Sequence, residues 1–234
     1  MGDVGNGIKA DGAWTFRSDD VAAAFDEHVA MSTPGYDDLQ RLVSRLSTFF
    51  VRDGSAAVDF GCATGRTIAE VAAANAGRRV RYIGIDESEA MVTKARERLA
   101  SVPGAEVRAA AVLASPPPSD ASILFALYVL QFMSFGDREA ALAMMRRATS
   151  AGTALFLVEK TTPDDAACVV PFYDAHHEEK MESYTAQEVT AKARALRGVL
   201  RPMSMRDTEA MLKRAGWKPQ RFWQRLAFVG WVCT

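Results

Sequence analysis

A chain of 234 residues with 28 Lys and Arg against 29 Asp and Glu has a formal net charge of −1, which gives no electrostatic reason to expect nucleic acid or an anionic membrane as partner. Hydrophobic residues make up 49% of the chain, enough for one full core with at most a small added subdomain. Three scattered cysteines, Cys62, Cys168 and Cys233, give neither a disulfide framework nor a metal-ligand pair, and no apolar run is long enough to span a bilayer.

The N-terminal stretch Met1–Ala13 holds four glycines and no apolar periodicity, and reads as a loose arm without the charged and apolar regions of a signal peptide. These features lead us to expect a cytoplasmic protein without a metal, as a monomer or a homodimer. Val21–Met31 and Tyr36–Val51 read as amphipathic helices around the turn Ser32–Gly35. Ala56–Phe60 is a short buried strand, Thr64–Ala74 a helix and Arg79–Ile85 a second strand. Ser88–Ala100 is a helix with Met91, Val92, Ala95 and Leu99 on one face. Val107–Val112 is a weaker strand. Ile123–Leu130 and Thr153–Glu159 are strong buried strands flanking a helix over Asp137–Ala148. This alternation predicts a mostly parallel sheet covered on both faces. Asp164–Leu200 is polar and helical, longer than an ordinary crossover, and reads as an insertion able to cover a site. Ser204 and Asp207 open a further helix that Gly216 stops, and Arg221–Val232 supplies one or two closing strands.

The segment Asp59-Phe60-Gly61-Cys62-Ala63-Thr64-Gly65 lies where the first strand meets its helix. Glycine there allows a sharp turn and leaves room for a ligand, although a tight turn without a ligand has the same composition. The spacing is too short for a P-loop, no Lys follows Gly65, and the Gly-x-Gly-x-x-Gly of dinucleotide sites is absent. Asp86 closes the second strand, where a carboxylate can accept both hydroxyls of a ribose or simply cap the next helix.

This joint pattern resembles motifs I and II of the class I S-adenosylmethionine (SAM)-dependent methyltransferases. The resemblance implies a doubly wound, Rossmann-like α/β fold of seven strands and SAM as cofactor. Residues 1–50 would cover the pocket, and residues 51–234 would form the SAM-binding domain with a helical lid at about 163–203. More specifically, Trp14-Thr15-Phe16, Pro34-Gly35-Tyr36, Leu130-Gln131-Phe132, Glu159-Lys160, His176-His177 with Lys180, and Phe222-Trp223 resemble the carboxy-SAM synthases. That resemblance implies that Tyr36 holds the methionine moiety and that Asp59, Gly61, Cys62, Ala63 and Gly65 line it. Asp86 and Glu87 would hold the ribose side, and Ala111, Val112 and Ala126 would complete the cofactor site. Two departures stand out. Leu127 replaces the family's asparagine, and Ala193 occupies the position of the arginine that pairs with the added carboxylate. Arg194, one residue on, is rotated about 100° away on a helix. Cofactor binding therefore carries over better than carboxyl transfer.

Five residues are candidates for chemistry. Tyr128 leaves the fourth strand toward the reaction site, where an aromatic face can hold a sulfonium, and Tyr173 sits on the lid with Phe172. A neutral His176 or His177 could act as general base, although such a run also suits a solvated helix face. Glu159 could orient a substrate amine or pair with Lys160 or an arginine. Methyl transfer to a small-molecule substrate is the first expectation. Non-methylating use of SAM is the alternative, either as carboxy-SAM synthesis or as internal cyclisation to azetidine-2-carboxylate with release of methylthioadenosine.

Overall fold

The computed structural model describes residues 2–10 and 13–234. Seven strands form one sheet: β1 (Ala56–Phe60), β2 (Arg81–Asp86), β3 (Ala105–Ala109), β4 (Ala121–Leu127), β5 (Ala154–Lys160), β6 (Pro219–Arg225) and β7 (Phe228–Cys233). Their spatial order is β3-β2-β1-β4-β5-β7-β6. The first five run parallel, and β7 is antiparallel to both β5 and β6. The doubly wound α/β architecture matches the expectation from sequence.

Strands β1, β4 and β5 are buried almost throughout, which is why they read as continuous apolar runs. Alternate residues of β1 feed opposite layers. Val58 and Phe60 pack with Leu142, Met145, Met211 and Trp217. Ala57 joins Leu39, Val43, Ile68, Val92 and Leu99 on the other face. The covering helices are α1 (Asp19–Ser32), α2 (Tyr36–Ser47), α3 (Arg66–Ala74), α4 (Glu89–Leu99), α5 (Phe135–Ala148) and α8 (Met205–Arg214). Ser88, Ser134 and Ser204 cap α4, α5 and α8 through their hydroxyls.

The segment between β5 and α8 contains α6 (Val169–Met181) and α7 (Ala186–Ala195), the latter opened by a Thr185/Glu188 capping box. Its neck is closed by a bridge between Thr162 and Ser204. Two sequence readings need correction. The N-terminal arm is not loose where it is described, because Gly2–Asp3 pairs with Lys9–Ala10, and Val4 and Ile8 are buried beside Trp14, Met91 and Ala195. Met1, Asp11 and Gly12 lie outside the described residues. The third strand ends at Ala109, and Val112–Ala114 is a 3-10 turn. That strand lies at the sheet edge with only Val107 buried, so its pattern is weak. No helix among the described residues is long and apolar enough to cross a membrane.

The chain leaves β1 for one side of the sheet and β4 for the other, so a crevice opens beyond their C-terminal ends. The arm, α1, α2, α6 and α7 roof this crevice.

Candidate active site

The roofed crevice is a cavity of about 470 Å³, within the range of small-ligand sites. At its floor the chain turns sharply after β1. Gly61 has φ +69°, and a Cβ there would lie 2.5 Å from Val129. The Gly61 and Cys62 amides both donate to the Ile85 carbonyl, at 2.7 and 3.0 Å. This closely couples the loop to β2. Ala63, with φ +46°, holds a conformation that costs a side-chain-bearing residue energy.

Asp86 is fixed by two backbone donors, Ala63 N–H to Oδ2 and Ser88 N–H to Oδ1, each at 2.9 Å. A carboxylate has about four acceptor positions, so two remain for a ligand. Burial raises the Asp86 pKa, these two bonds oppose the rise, and Glu87 adds to it. Asp59 is buried deeper, and burial together with Asp86 holds its carboxyl well above the usual range. Both side chains line the cavity. A cation placed between them would favour their ionised forms.

Tyr36 opens α2 behind Gly35, which takes φ +68°. Its ring lies 6.2 Å from that of Tyr128, and Arg66 stands 5.2 Å over it. Arg66 is held at 2.8 Å by both Asp37 and Glu70. Burial pushes the Tyr36 hydroxyl up to about 12, so it stays protonated. Tyr128 itself has φ +60°, and its buried hydroxyl has no partner. The Trp14 indole N–H on the roof is likewise without a partner. Two buried donors left open on one cavity point to a ligand.

The far end is basic. Lys160 from β5, His176 and Lys180 from α6, and Lys192 from α7 all line it. His176 and Lys180 are four residues apart and share a helix face, whereas His177 is turned away. The His176 Nε2–H donates to the Ser32 carbonyl at 3.1 Å, which leaves Nδ1 facing Lys160 Nζ at 3.4 Å. Burial and then Lys160 push the His176 pKa down to about 3, so the ring is neutral.

The cavity therefore brings together Tyr36, Asp59, Gly61, Cys62, Ala63, Asp86, Glu87, Val112, Tyr128 and His176. Six candidates lie outside it. Glu159 is 1% exposed and pairs with Arg138 at 3.1 Å, which is itself buried. Arg138 also donates to the carbonyls of Leu130 and Arg201. Of the two roles open to Glu159, the arginine pair is the one observed. Tyr173 lies behind Lys160, with its ring 4.7 Å from Nζ. His177 faces away from the cavity, with its ring 6.1 Å from that of His176. Gly65 packs against Ala95 and Leu99, and Ala126 is core. Ala111 faces a shallow outer groove, while Ala110 and Val112 face the cavity. Burial raises the Cys62 thiol, which makes it an inert lining group. Sequence reasoning gave no role to Lys192. Ala193 and Arg194 are exposed, but the residue before them turns inward and brings its amine to the cavity.

A family model described as a methyltransferase domain matches residues 58–155. The carboxy-S-adenosyl-L-methionine synthase of Staphylococcus epidermidis is 28% identical, over 94% of this chain and 96% of that protein. That of Klebsiella pneumoniae strain 342 is 28% identical, over 91% and 87%. Among solved structures, human N-acetylserotonin methyltransferase in complex with SAM is similar with a TM-score of 0.64 and 15% identity, over 97% of this chain and 60% of that one. An O-methyltransferase family protein from Burkholderia thailandensis has a TM-score of 0.67 and 15% identity, over 92% and 59%. The chain thus spans about six-tenths of the length of these solved relatives. Fold, crevice and these matches make the chain similar to the class I SAM-dependent methyltransferase superfamily. Within that superfamily, its full-length similarity is to carboxy-SAM synthases.

Proposed function

We propose that the cavity binds SAM and that the chain transfers the cofactor's methyl group to a small acceptor. The observation that carries this reading is Asp86, fixed by two amides beside the Gly61 turn with acceptor positions left toward the cavity. A ribose diol is the chemistry those positions suit. The residues present fit the cofactor in two further ways. Asp59 gains a reason to ionise if an ammonium enters. The open donors of Tyr128 and Trp14 gain acceptors.

When bound, SAM supplies an electrophilic methyl on a sulfonium. The rings of Tyr36, Tyr128 and Phe228 wall the space above the β1 and β4 termini and can face that cation. The roof excludes water and holds the acceptor in line, where most of the rate gain of such a transfer arises. Lys160, which burial pushes down to about 8, can take up a proton near neutral pH, and the His176–Ser32 bond fixes its neighbour.

Non-methylating use of the same cofactor is the second reading. Two observations favour carboxy-SAM synthesis within it: the curated relatives align over nearly the whole chain, and Lys192 brings an amine donor into the cavity beside Ala193. Internal cyclisation belongs to the same class, because it also needs no acceptor.

Incubation with SAM alone, followed by mass spectrometry, separates cyclisation from the two readings that need a second substrate, and addition of a carboxyl donor then separates carboxy-SAM synthesis from methyl transfer. Methyl transfer predicts unchanged cofactor until an acceptor is added, and then S-adenosylhomocysteine. Methylthioadenosine above its spontaneous background, with a four-membered amino acid, overturns methyl transfer in favour of cyclisation.

A further inference from the structure

The basic end of the cavity has no counter-charge. Lys180 and Lys192 are 8% and 7% exposed, and Lys160 is largely covered. Among the described residues none of the three forms an ion pair. The acids nearby are committed elsewhere: Glu159 to Arg138, Glu179 to Arg225 and Asp26 to Arg98. The acids that line the cavity, Asp59, Asp86 and Glu87, belong to the glycine-loop end. What faces the lysines instead is aromatic or basic. Lys160 lies over the rings of Tyr173 and Phe228, at 4.7 and 5.4 Å. Lys192 lies on the Trp14 ring. His28 and His176 complete the cluster, and both are held neutral by burial and by the lysines around them. The Trp14 indole, 6% exposed and with an unused N–H, shares the same wall.

Buried cations without partners are rarely retained unless something else neutralises them. Three elements here converge three lysine amines and one open donor on a single enclosed space. Lys160 and Lys180, pushed down to about 8, keep their charge at neutral pH, and Lys192, pushed down to about 5, is a neutral donor that a bound anion would recharge. Lysines present compact point charges, suited to a small anion rather than to a fork-shaped pairing.

We infer that Lys160, Lys180 and Lys192 form a subsite for a compact anion, a carboxylate or a phosphate group, that occupies the cavity together with SAM. The inference rests on the SAM reading in one respect: SAM carries a net positive charge into a cavity that is already positive. An anion at the lysines relieves that repulsion, so each ligand strengthens the binding of the other, and by equal factors. The anion is then either the second substrate or part of it.

Calorimetric titration of SAM, alone and with saturating malonate or inorganic phosphate, tests the subsite. The expected result is that one of these anions tightens SAM binding by roughly tenfold or more, within the usual span of coupled sites. The effect should be smaller for S-adenosylhomocysteine, which lacks the sulfonium charge. Malonate acting alone identifies a carboxylate ligand, and phosphate acting alone a phosphorylated one. Lys180→Met should abolish the effect and should tighten SAM binding in the absence of any anion, because a repelling charge is gone. Lys160→Met serves the same test if the first variant does not fold. If SAM itself fails to bind, the cofactor reading fails, whereas saturable anion binding lost in Lys180→Met still upholds the subsite. No saturable binding of either anion, with or without SAM, overturns it.

Discussion

Lys192→Met should stabilise the protein in the absence of ligands. Lys192 is 7% exposed on the inner face of α7, with its head on the Trp14 ring and no carboxylate near it. Burial first, and Lys180 second, push its pKa from 10.5 down to about 5. At pH 7 the folded chain therefore holds a neutral amine where the unfolded chain holds an ammonium. About 3.5 pH units at ~1.4 kcal/mol each set a ceiling of roughly 5 kcal/mol on the cost. Methionine matches the length of the stem and carries no charge. Allowing for imperfect repacking, the expected gain is roughly 2–4 kcal/mol, or about 5–15 °C in Tm for a chain of this size. The sign of the pH dependence follows from the depressed folded value. The unfolded state binds the extra proton between about pH 5 and 10.5, so wild-type stability rises with pH across that window, and the advantage of the variant shrinks between pH 7 and 9.5. Urea denaturation at those two pH values measures both effects. A variant less stable than wild type at pH 7, with a gap that does not change with pH, would refute the argument that Lys192 is buried without a partner.

Other expectations follow from the site. Asp86→Asn keeps the shape but removes the charge from the acceptor, and should weaken SAM binding about 10- to 100-fold, read by calorimetry, with little change in Tm. Gly61→Ala puts a Cβ 2.5 Å from Val129 at φ +69°. It should cost roughly 1–3 kcal/mol in urea denaturation and largely remove cofactor binding, since the loop must shift. Arg138→Met leaves Glu159 buried without its partner and frees the Leu130 and Arg201 carbonyls, so a loss of roughly 3–5 kcal/mol is expected. Tyr128→Phe removes a hydroxyl that has no partner, and should leave the stability of the free protein unchanged or slightly raised while lowering kcat.

The parts of the fold visible in sequence were those whose pattern depends on near neighbours. The runs at 56–60, 123–130 and 153–159 are apolar because both faces of those strands are covered, and they come out within a few residues of the observed ends. The glycine turn and Asp86 were legible for a similar reason, since both sit at strand ends whose periodicity announces them. The hairpin under the lid was not legible. Val4 and Ile8 are ordinary apolar residues in a glycine-rich stretch, and only contact with α1 and α7 orders them. The arginine pairing of Glu159 was open to the sequence but its partner was not, because Arg138 lies 21 residues earlier, on a helix that the sequence does not place against β5. The lysine cluster joins positions 160, 180 and 192 from three elements. Only the four-residue spacing of His176 and Lys180 was open to inspection, and it identifies a shared helix face without saying what that face meets. Reading the arginine position at Ala193 one residue too literally hid Lys192, which turns inward by the 100° step of the helix.

Calorimetric titration of SAM into the purified protein tests the central claim most directly. Saturable binding of one SAM per chain is predicted, displaced by S-adenosylhomocysteine and strongly weakened in Asp86→Asn. Absence of binding, or equal binding by wild type and Asp86→Asn, would contradict the assignment of this cavity as the cofactor site.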